Sequence, residues 1–194
     1  MPDLTPYLPS LPLAVAVALG LFVAKETLEA TRRFITDRRK LTAIRTLVAA
    51  ECRRNAWTIS KLKDALERVA SPRDGLENIY IETRSDGAEI FSEEHEQGHG
   101  SFPLTPVHRS AVEKFMFEAA SLDRKLFEQM VTTLEAVSDI DHVRRSLIHM
   151  VKTFDPHLEG FGEYGLSEIA DARVEIEGLF RLCEPKAEFK ASVR

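Results

Sequence analysis

The stretch Leu11–Ala24, LPLAVAVALGLFVA, contains no charged side chain and is followed directly by Lys25. The uncharged run begins at Leu4, and about 20 helical residues at about 1.5 Å each span a hydrocarbon core of about 30 Å. Prolines in the first half place the start of the continuous helix near Pro12. The sequence therefore predicts an N-terminal transmembrane helix within residues 1–24, and a buried helix of a soluble core is the alternative.

The two flanks of this apolar run differ in charge. Asp3 precedes it, whereas a cluster of basic residues follows it: Lys25, Arg32, Arg33, Arg38, Arg39 and Lys40. Loops rich in Lys and Arg stay in the cytoplasm, and each basic residue near anionic lipid contributes about 1 kcal/mol. We therefore predict a single-pass membrane protein with its N-terminus outside and its C-terminal bulk in the cytoplasm. Five of the basic residues are predicted to face lipid headgroups: Arg32, Arg33, Arg38, Arg39 and Lys40.

Three small residues in the apolar run, Ala16, Gly20 and Ala24, recur at a spacing of four. Residues four apart share one side of a helix, and small residues there let two backbones approach closely in lipid. The pattern predicts self-association through the anchor. Chance is the alternative, because such spacing is common in short alanine-rich segments.

The overall composition is that of an ordinary globular domain with an acidic balance. Charged residues make up 29% and hydrophobic residues 44% of the chain, and the formal net charge is −5. This charge argues against a general nucleic-acid binder, so no nucleic-acid partner is expected. The sequence contains no glycine-rich phosphate loop, and no cofactor is predicted. Cys52 and Cys183 match no metal or redox spacing and are predicted to be reduced thiols.

Residues 25–70 are predicted to form a juxtamembrane helix with an apolar seam of coiled-coil type. The seam contains a polar residue, Asn55, which can fix register or oligomer state in a coiled coil. We predict an oligomer seam through Asn55, and the alternative is a half-exposed Asn55 on a bundle helix. The positions of the seam are Leu41, Ile44, Val48, Cys52, Asn55, Ile59, Leu62, Leu66 and Val69.

Residues 71–105 are predicted to hold a small β-hairpin and a polar loop. Ile79–Thr83 and Glu89–Phe91 flank Asp86-Gly87, a two-residue turn signal that sets Arg84 opposite Glu89. The acidic, glycine-containing stretch Ser92–Ser101 is predicted to be a loop.

Residues 106–185 are predicted to form a helical domain. Thr105-Pro106 has the chemistry of a helix start, Ser138-Asp139 predicts a bend, and Asp155-Pro156 predicts a stop. Gly160, Gly162 and Gly165 predict a flexible joint before a last helix that begins at Ser167 and ends at Pro185, and the tail 186–194 is predicted to fray. The predicted fold class is mainly α, with a membrane helix, a juxtamembrane helix and an antiparallel helical bundle.

The segment His95–His99, HEQGH, matches the H-E-x-x-H pattern, in which two histidines on one helix face ligate zinc and the glutamate is the general base. In this segment the chain resembles the zinc metallopeptidases. The resemblance implies a zinc cofactor held by His95 and His99, with Glu96 as the catalytic base. The extended motif is absent, because Phe102 and Thr105 replace its glycine and histidine. The alternatives are a solvated loop and adventitious or structural metal binding.

Arg144 and His149 have the R-x4-H spacing of the helical ribonucleases called HEPN domains, which the chain resembles in this segment. Arg145 departs from the small polar residue that is usual after the arginine. A spacing of five does not put the pair on one helix face, so solvated charges and a partly buried His149 are the favoured interpretation.

The leading hypothesis is a non-enzymatic, membrane-anchored cytoplasmic protein that acts as an interaction or scaffold module. It forms a homo-oligomer and binds a protein partner on the cytoplasmic side. The hypothesis rests on the anchor, on the seam through Asn55 and on the lack of a convincing catalytic constellation. The alternative is a membrane-bound zinc-dependent peptidase that uses the segment His95–His99.

Overall fold

The computed structural model describes residues 13–71, 78–95 and 98–191. They form four helices and a three-stranded antiparallel sheet in the order β1-β2-β3, so the mainly helical class is confirmed. The elements are α1 (Leu13–Ala70), β1 (Ile79–Thr83), β2 (Glu89–His95), β3 (Gly98–Pro103), α2 (Ser110–Leu122), α3 (Arg124–Thr153) and α4 (Leu158–Cys183). Parts of four sequence predictions lie outside the described residues: Leu4–Pro12 of the anchor, Pro72–Gly75 of the turn, Glu96 and Gln97 of the metal motif, and Ser192–Arg194 of the tail.

The chain divides into two compact units, Met1–Lys40 and Leu41–Arg194. In the first unit, the described side chains from Val15 to Lys40 are exposed, apart from a partly exposed Glu29. Within the ranges 13–71, 78–95 and 98–191, no helix has a stretch both long and apolar enough to cross a bilayer.

The second unit contains the hydrophobic core, to which α1 contributes one long face. The apolar residues of the predicted coiled-coil seam from Ile44 to Val69 are buried there, together with residues of α2, α3 and α4. Leu41 is partly buried at the end of this face. The chain itself therefore covers the apolar row that the sequence assigns to a seam.

The β-hairpin is confirmed, but its predicted register is wrong. Thr83, not Arg84, lies opposite Glu89. The loop has three residues, Ser85 to Gly87, between Arg84 and Ala88, and the Arg84 N–H donates to the Ala88 carbonyl at 2.9 Å. Gly87 takes the left-handed conformation, with φ 81°, that closes such a loop. The additional loop residue shifts every cross-strand pair by one position.

The stretch Ser92–Ser101 belongs largely to the sheet, so its prediction as a loop is wrong. β2 pairs with β3 so that Phe91 lies opposite Phe102, and the two rings stack with centroids 5.2 Å apart. Arg68 of α1 donates to the Glu93 carboxylate at 2.7 Å. These contacts join residues distant in sequence, and they outweigh the low strand propensity of acidic residues and glycine.

The breaks between the later helices also differ from prediction. Helix α2 begins at Ser110 instead of Pro106, because Thr105 and His108 of the preceding segment form hydrogen bonds with α1. The break between α2 and α3 lies at Asp123 instead of Ser138, and the Asp123 carboxylate accepts a hydrogen bond from the Leu126 N–H at 3.1 Å. The predicted stop near Asp155-Pro156 is confirmed, since α3 ends at Thr153.

The predicted glycine joint is wrong, because Gly160, Gly162 and Gly165 lie inside α4. A Cβ atom on Gly162 would lie 2.8 Å from the Ala70 nitrogen, and one on Gly165 would lie 2.7 Å from a Leu66 methyl carbon. Helix α4 therefore approaches α1 too closely for side chains at these two positions. Glycine serves close packing here.

Helix α4 ends at Cys183, just before Pro185, as predicted. In the segment that follows, the Phe189 ring packs against Phe180 with centroids 5.1 Å apart. Fraying of the tail stays a prediction.

Candidate functional site

The candidate functional site is the exposed apolar section of α1 from Val15 to Ala24. Each residue in it is apolar or glycine, and each is exposed. The large side chains range from 46% exposed at Val15 to 68% at Leu21. Contiguous apolar surface of this kind marks an interaction site, because single exposed apolar residues are common whereas continuous ones are not.

The section is apolar around its whole circumference, since its residues cover more than two helical turns. The three small residues Ala16, Gly20 and Ala24 lie within it and are exposed. A Cβ atom on Gly20 would meet no atom of the described residues within 4 Å. Helix association through these three residues stays a prediction.

The basic residues that follow the apolar section are exposed as well: Arg32, Arg33, Arg38, Arg39 and Lys40. Arg33 and Lys25 lie 3.8 Å and 3.9 Å from the Glu29 carboxylate, which are long ion-pair distances on a solvated surface. The Arg38 guanidinium lies 4.7 Å from the centroid of the Phe34 ring. These side chains are accessible to an anionic surface, and their contact with lipid stays a prediction.

Three exposed apolar residues of the charged section were not identified as candidates from the sequence: Leu28, Phe34 and Ile35. Their exposed fractions are 53%, 58% and 45%. A signal for two of them exists, because Leu28 and Ile35 continue a seven-residue spacing from Leu21. Their exposure is evident only from the structure, because helical spacing alone does not show which apolar residues stay exposed.

The two histidines of the HEQGH segment do not share a helix. His95 ends β2 and His99 lies on β3, where His99 is opposite Glu94. The two histidines therefore do not have the helical geometry of the metallopeptidase motif. Within residues 13–71, 78–95 and 98–191, no group of three or more His, Cys, Asp or Glu residues is placed to hold a metal ion. Metal binding by His95 and His99 stays a prediction.

A polar row on α1 holds the segment that leads into α2. Glu51 is 0% exposed, and its carboxylate accepts hydrogen bonds from Ser110 Oγ at 3.1 Å, the Ala111 N–H at 2.8 Å and the Val112 N–H at 3.0 Å. The Thr58 hydroxyl lies 2.9 Å from the Thr105 hydroxyl. A side chain of α1 thus caps the N-terminus of α2, where unpaired N–H groups favour a negative charge.

Asn55 lies in the same polar row, and it is 3% exposed. Its Nδ2 donates to the His108 carbonyl at 2.6 Å, and its Oδ1 accepts from the His108 N–H at 2.7 Å. The predicted alternative of a half-exposed Asn55 is wrong, since these two bonds hold the amide inside the second unit. Its role in an oligomer seam stays a prediction.

Comparisons with known proteins identify no relative. No family model, curated protein or solved structure matches the chain. We therefore infer function from the exposed surface of α1 and from the contacts of the described residues.

Arg144 and His149 have different environments. The Arg144 Nε donates to the Leu104 carbonyl at 2.9 Å, whereas His149 is exposed on α3. Arg144 therefore fixes the end of the segment after β3. The prediction of solvated charges is therefore wrong for Arg144, and the prediction of a partly buried His149 is wrong as well.

The two cysteines are free and buried. Burial raises the pKa of Cys183 to about 12 and raises the pKa of Cys52 as well. The thiolate is the reactive form of cysteine, so both thiols are unreactive in the folded protein at neutral pH. Their reduced state in the cell stays a prediction.

Proposed function

We propose that the protein is a membrane-anchored helical interaction module that self-associates. The apolar section of α1 inserts into a bilayer, and the unit Leu41–Arg194 is available to a protein partner in the cytoplasm. The observation that carries the proposal is the exposure of every side chain from Val15 to Ala24. Transfer of apolar surface from water into lipid is favourable by about 25 cal/mol per Å².

The circumferential distribution of the apolar side chains favours lipid as the main occupant. A helix that packs on one partner helix needs an apolar stripe, whereas a helix that is apolar on all sides is surrounded by protein core or by lipid. The helical residues from Leu13 to Ala24 cover about 18 Å at about 1.5 Å each. Local thinning of the bilayer and the preceding uncharged residues from Leu4 would supply the remaining thickness.

The basic cluster after the apolar section supports the proposed orientation. Arg32, Arg33, Arg38, Arg39 and Lys40 follow the section within about two to four and a half helical turns and are exposed. Basic side chains resist translocation and interact with anionic headgroups within a Debye length of about 8 to 10 Å. They favour a cytoplasmic location for everything that follows them.

A flotation experiment tests the anchor. Full-length protein mixed with vesicles of phosphatidylcholine and phosphatidylserine should float with the lipid, and Leu19→Asp should strongly reduce the floating fraction, because Leu19 is exposed near the centre of the apolar section and an aspartate at the centre of a membrane helix is costly. Leu47→Asp is the matched control, since Leu47 is also exposed on α1 but lies in the second unit. Wild-type protein that stays in the soluble fraction would refute the anchor, as would equal effects of the two substitutions.

A reporter fused after Arg194 tests the orientation. It should behave as cytoplasmic in the wild-type protein, because the basic cluster fixes that side. Neutralising Arg32, Arg33, Arg38 and Arg39 while adding lysines before Leu11 should weaken or invert the orientation. The control is the same added lysines with the basic cluster intact. An extracytoplasmic wild-type reporter would contradict the proposed orientation.

A further inference from the structure

The first unit carries an exposed stripe with the spacing of a coiled coil. Leu21, Leu28 and Ile35 repeat at intervals of seven, and they are 68%, 53% and 45% exposed. The residues four positions before each of them complete the stripe: Val17, Ala24 and Thr31. Alternating steps of four and three keep a stripe on one side of a helix, where it meets a partner helix of the same period.

The stripe differs from the seam that the sequence analysis assigns to an oligomer. The apolar residues around Asn55 are buried in the core of the second unit, whereas the residues of the stripe are exposed. The polar member of the stripe brings no unpaired donor, because the Thr31 hydroxyl donates to the Thr27 carbonyl at 2.8 Å. The stripe is therefore compatible with close helix packing.

The charges beside the stripe favour a second copy of the chain in parallel orientation. Lys25, Arg32 and Arg39 follow one border at intervals of seven, whereas Thr27 and Phe34 on the other border are uncharged. In a parallel pair of identical helices, the basic border of one helix faces the uncharged border of its partner. In an antiparallel pair, basic residues face basic residues and repel. The pattern is thus suited to a second copy in parallel alignment.

The same alignment places a second cation beside the exposed Phe34, whose ring already lies 4.7 Å from the Arg38 guanidinium of its own chain. In a parallel, in-register pair, a residue on the uncharged border faces the residue five positions later on the basic border of the other helix, so Phe34 faces Arg39 of the second copy. An arginine over an aromatic ring is favourable. The acidic residues of this section, Glu26, Glu29 and Asp37, lie off the stripe and do not oppose one another across it.

We propose that the stripe from Val17 to Ile35 is the interface of a parallel, in-register homodimer. This inference deepens the self-association in the proposed function and rests on it. The interface begins in the apolar section and continues beyond Lys25. The row of small residues Ala16, Gly20 and Ala24 ends before Lys25 and shares only Ala24 with the stripe. The paired α1 helices join the two copies through the first unit and leave the second unit to other partners.

Cysteine cross-linking in membranes tests the interface. In a Cys52→Ala, Cys183→Ala background, single cysteines replace Leu28 or Ile35 on the stripe, and Ala30 or Asp37 on the opposite face serve as matched controls with the same spacing. Interface positions of a parallel pair bring equivalent Cα atoms near the distance that a disulfide needs, so mild oxidation should give at least about fivefold more dimer at Leu28 and Ile35. No dimer, equal dimer at all four positions, or more dimer on the opposite face would overturn the proposal.

A second experiment separates this inference from the membrane anchor. Leu28→Asp combined with Ile35→Asp should convert a detergent-solubilised dimer into a monomer, measured by light scattering, while the fraction bound to vesicles and the helical content stay unchanged. Ala30→Asp should leave the dimer intact. A dimer that survives the double substitution overturns the interface, even if the protein floats with vesicles. Failure of the wild-type protein to float overturns the anchor, even if the cross-linking pattern holds.

Discussion

Replacing Glu51 by alanine should lower the free energy of unfolding by about 4 kcal/mol. The Glu51 carboxylate is completely buried, and it accepts three hydrogen bonds at the start of α2. Alanine removes all three acceptor contacts and leaves the Ala111 and Val112 N–H groups without that partner. Each buried N–H that loses its acceptor costs about 1 to 3 kcal/mol, and the vacated volume adds to this loss.

Urea unfolding followed by circular dichroism measures this change, and hydrogen exchange locates it. Exchange of the Ala111 and Val112 amides should accelerate by more than exchange in the centre of α3, because the loss is local to the α2 N-terminus. Glu67→Ala is the control: Glu67 is also a glutamate on α1, but its side chain is 53% exposed in an ion pair with Lys63. The control should change stability by less than about 0.5 kcal/mol. A similar small change at Glu51 would show that the carboxylate does not cap α2.

Two neighbouring glycines should respond to alanine with opposite signs. Gly162→Ala should destabilise the protein by about 2 kcal/mol, because the new methyl carbon would lie 2.8 Å from the Ala70 nitrogen and force α4 away from α1. Gly160→Ala should stabilise it by up to about 1 kcal/mol, because a Cβ there meets no described atom within 4 Å and alanine favours the helix.

The midpoints of thermal unfolding measure both variants in one series. Gly160→Ala is a matched control, since it makes the same chemical change on the same helix two residues away. The sign of the difference is the decisive quantity. A Gly162→Ala variant as stable as Gly160→Ala would contradict the close approach of α4 to α1.

Sequence periodicity predicted the helices well, because long apolar faces report burial directly. The buried face of α1 from Ile44 to Val69 is an example, whereas the stop of α3 was predicted from Asp155-Pro156. The strands β2 and β3 were missed beyond Phe91, since Glu93 and the glycines favour a strand only when Phe102 and Arg68 are present beside them. Such pairings between distant residues are not visible in local propensity.

The candidate site was also predicted only in part from the sequence. The apolar run before Lys25 is evident from composition, so the exposed section of α1 was identified in advance. The stripe through Leu28 and Ile35 was not, because an apolar row alone does not reveal which of its parts the rest of the chain covers. Asn55 shows the converse, since the seam around it is filled by intrachain contacts.

The cap that Glu51 provides also has a consequence for the order of folding. Helix α2 has 13 residues and no side-chain hydrogen bond from its own N-cap residue, Arg109. Helices of that length are marginal in isolation, so α2 becomes stable after its first turn docks on α1. The chain is synthesised from its N-terminus, and α1 therefore leaves the ribosome before the segment that depends on it. We therefore expect α2 to nucleate on an α1 helix that has already formed. In a chain whose synthesis pauses before Ser110, the Glu51 carboxylate would lack the hydrogen bonds from Ser110, Ala111 and Val112.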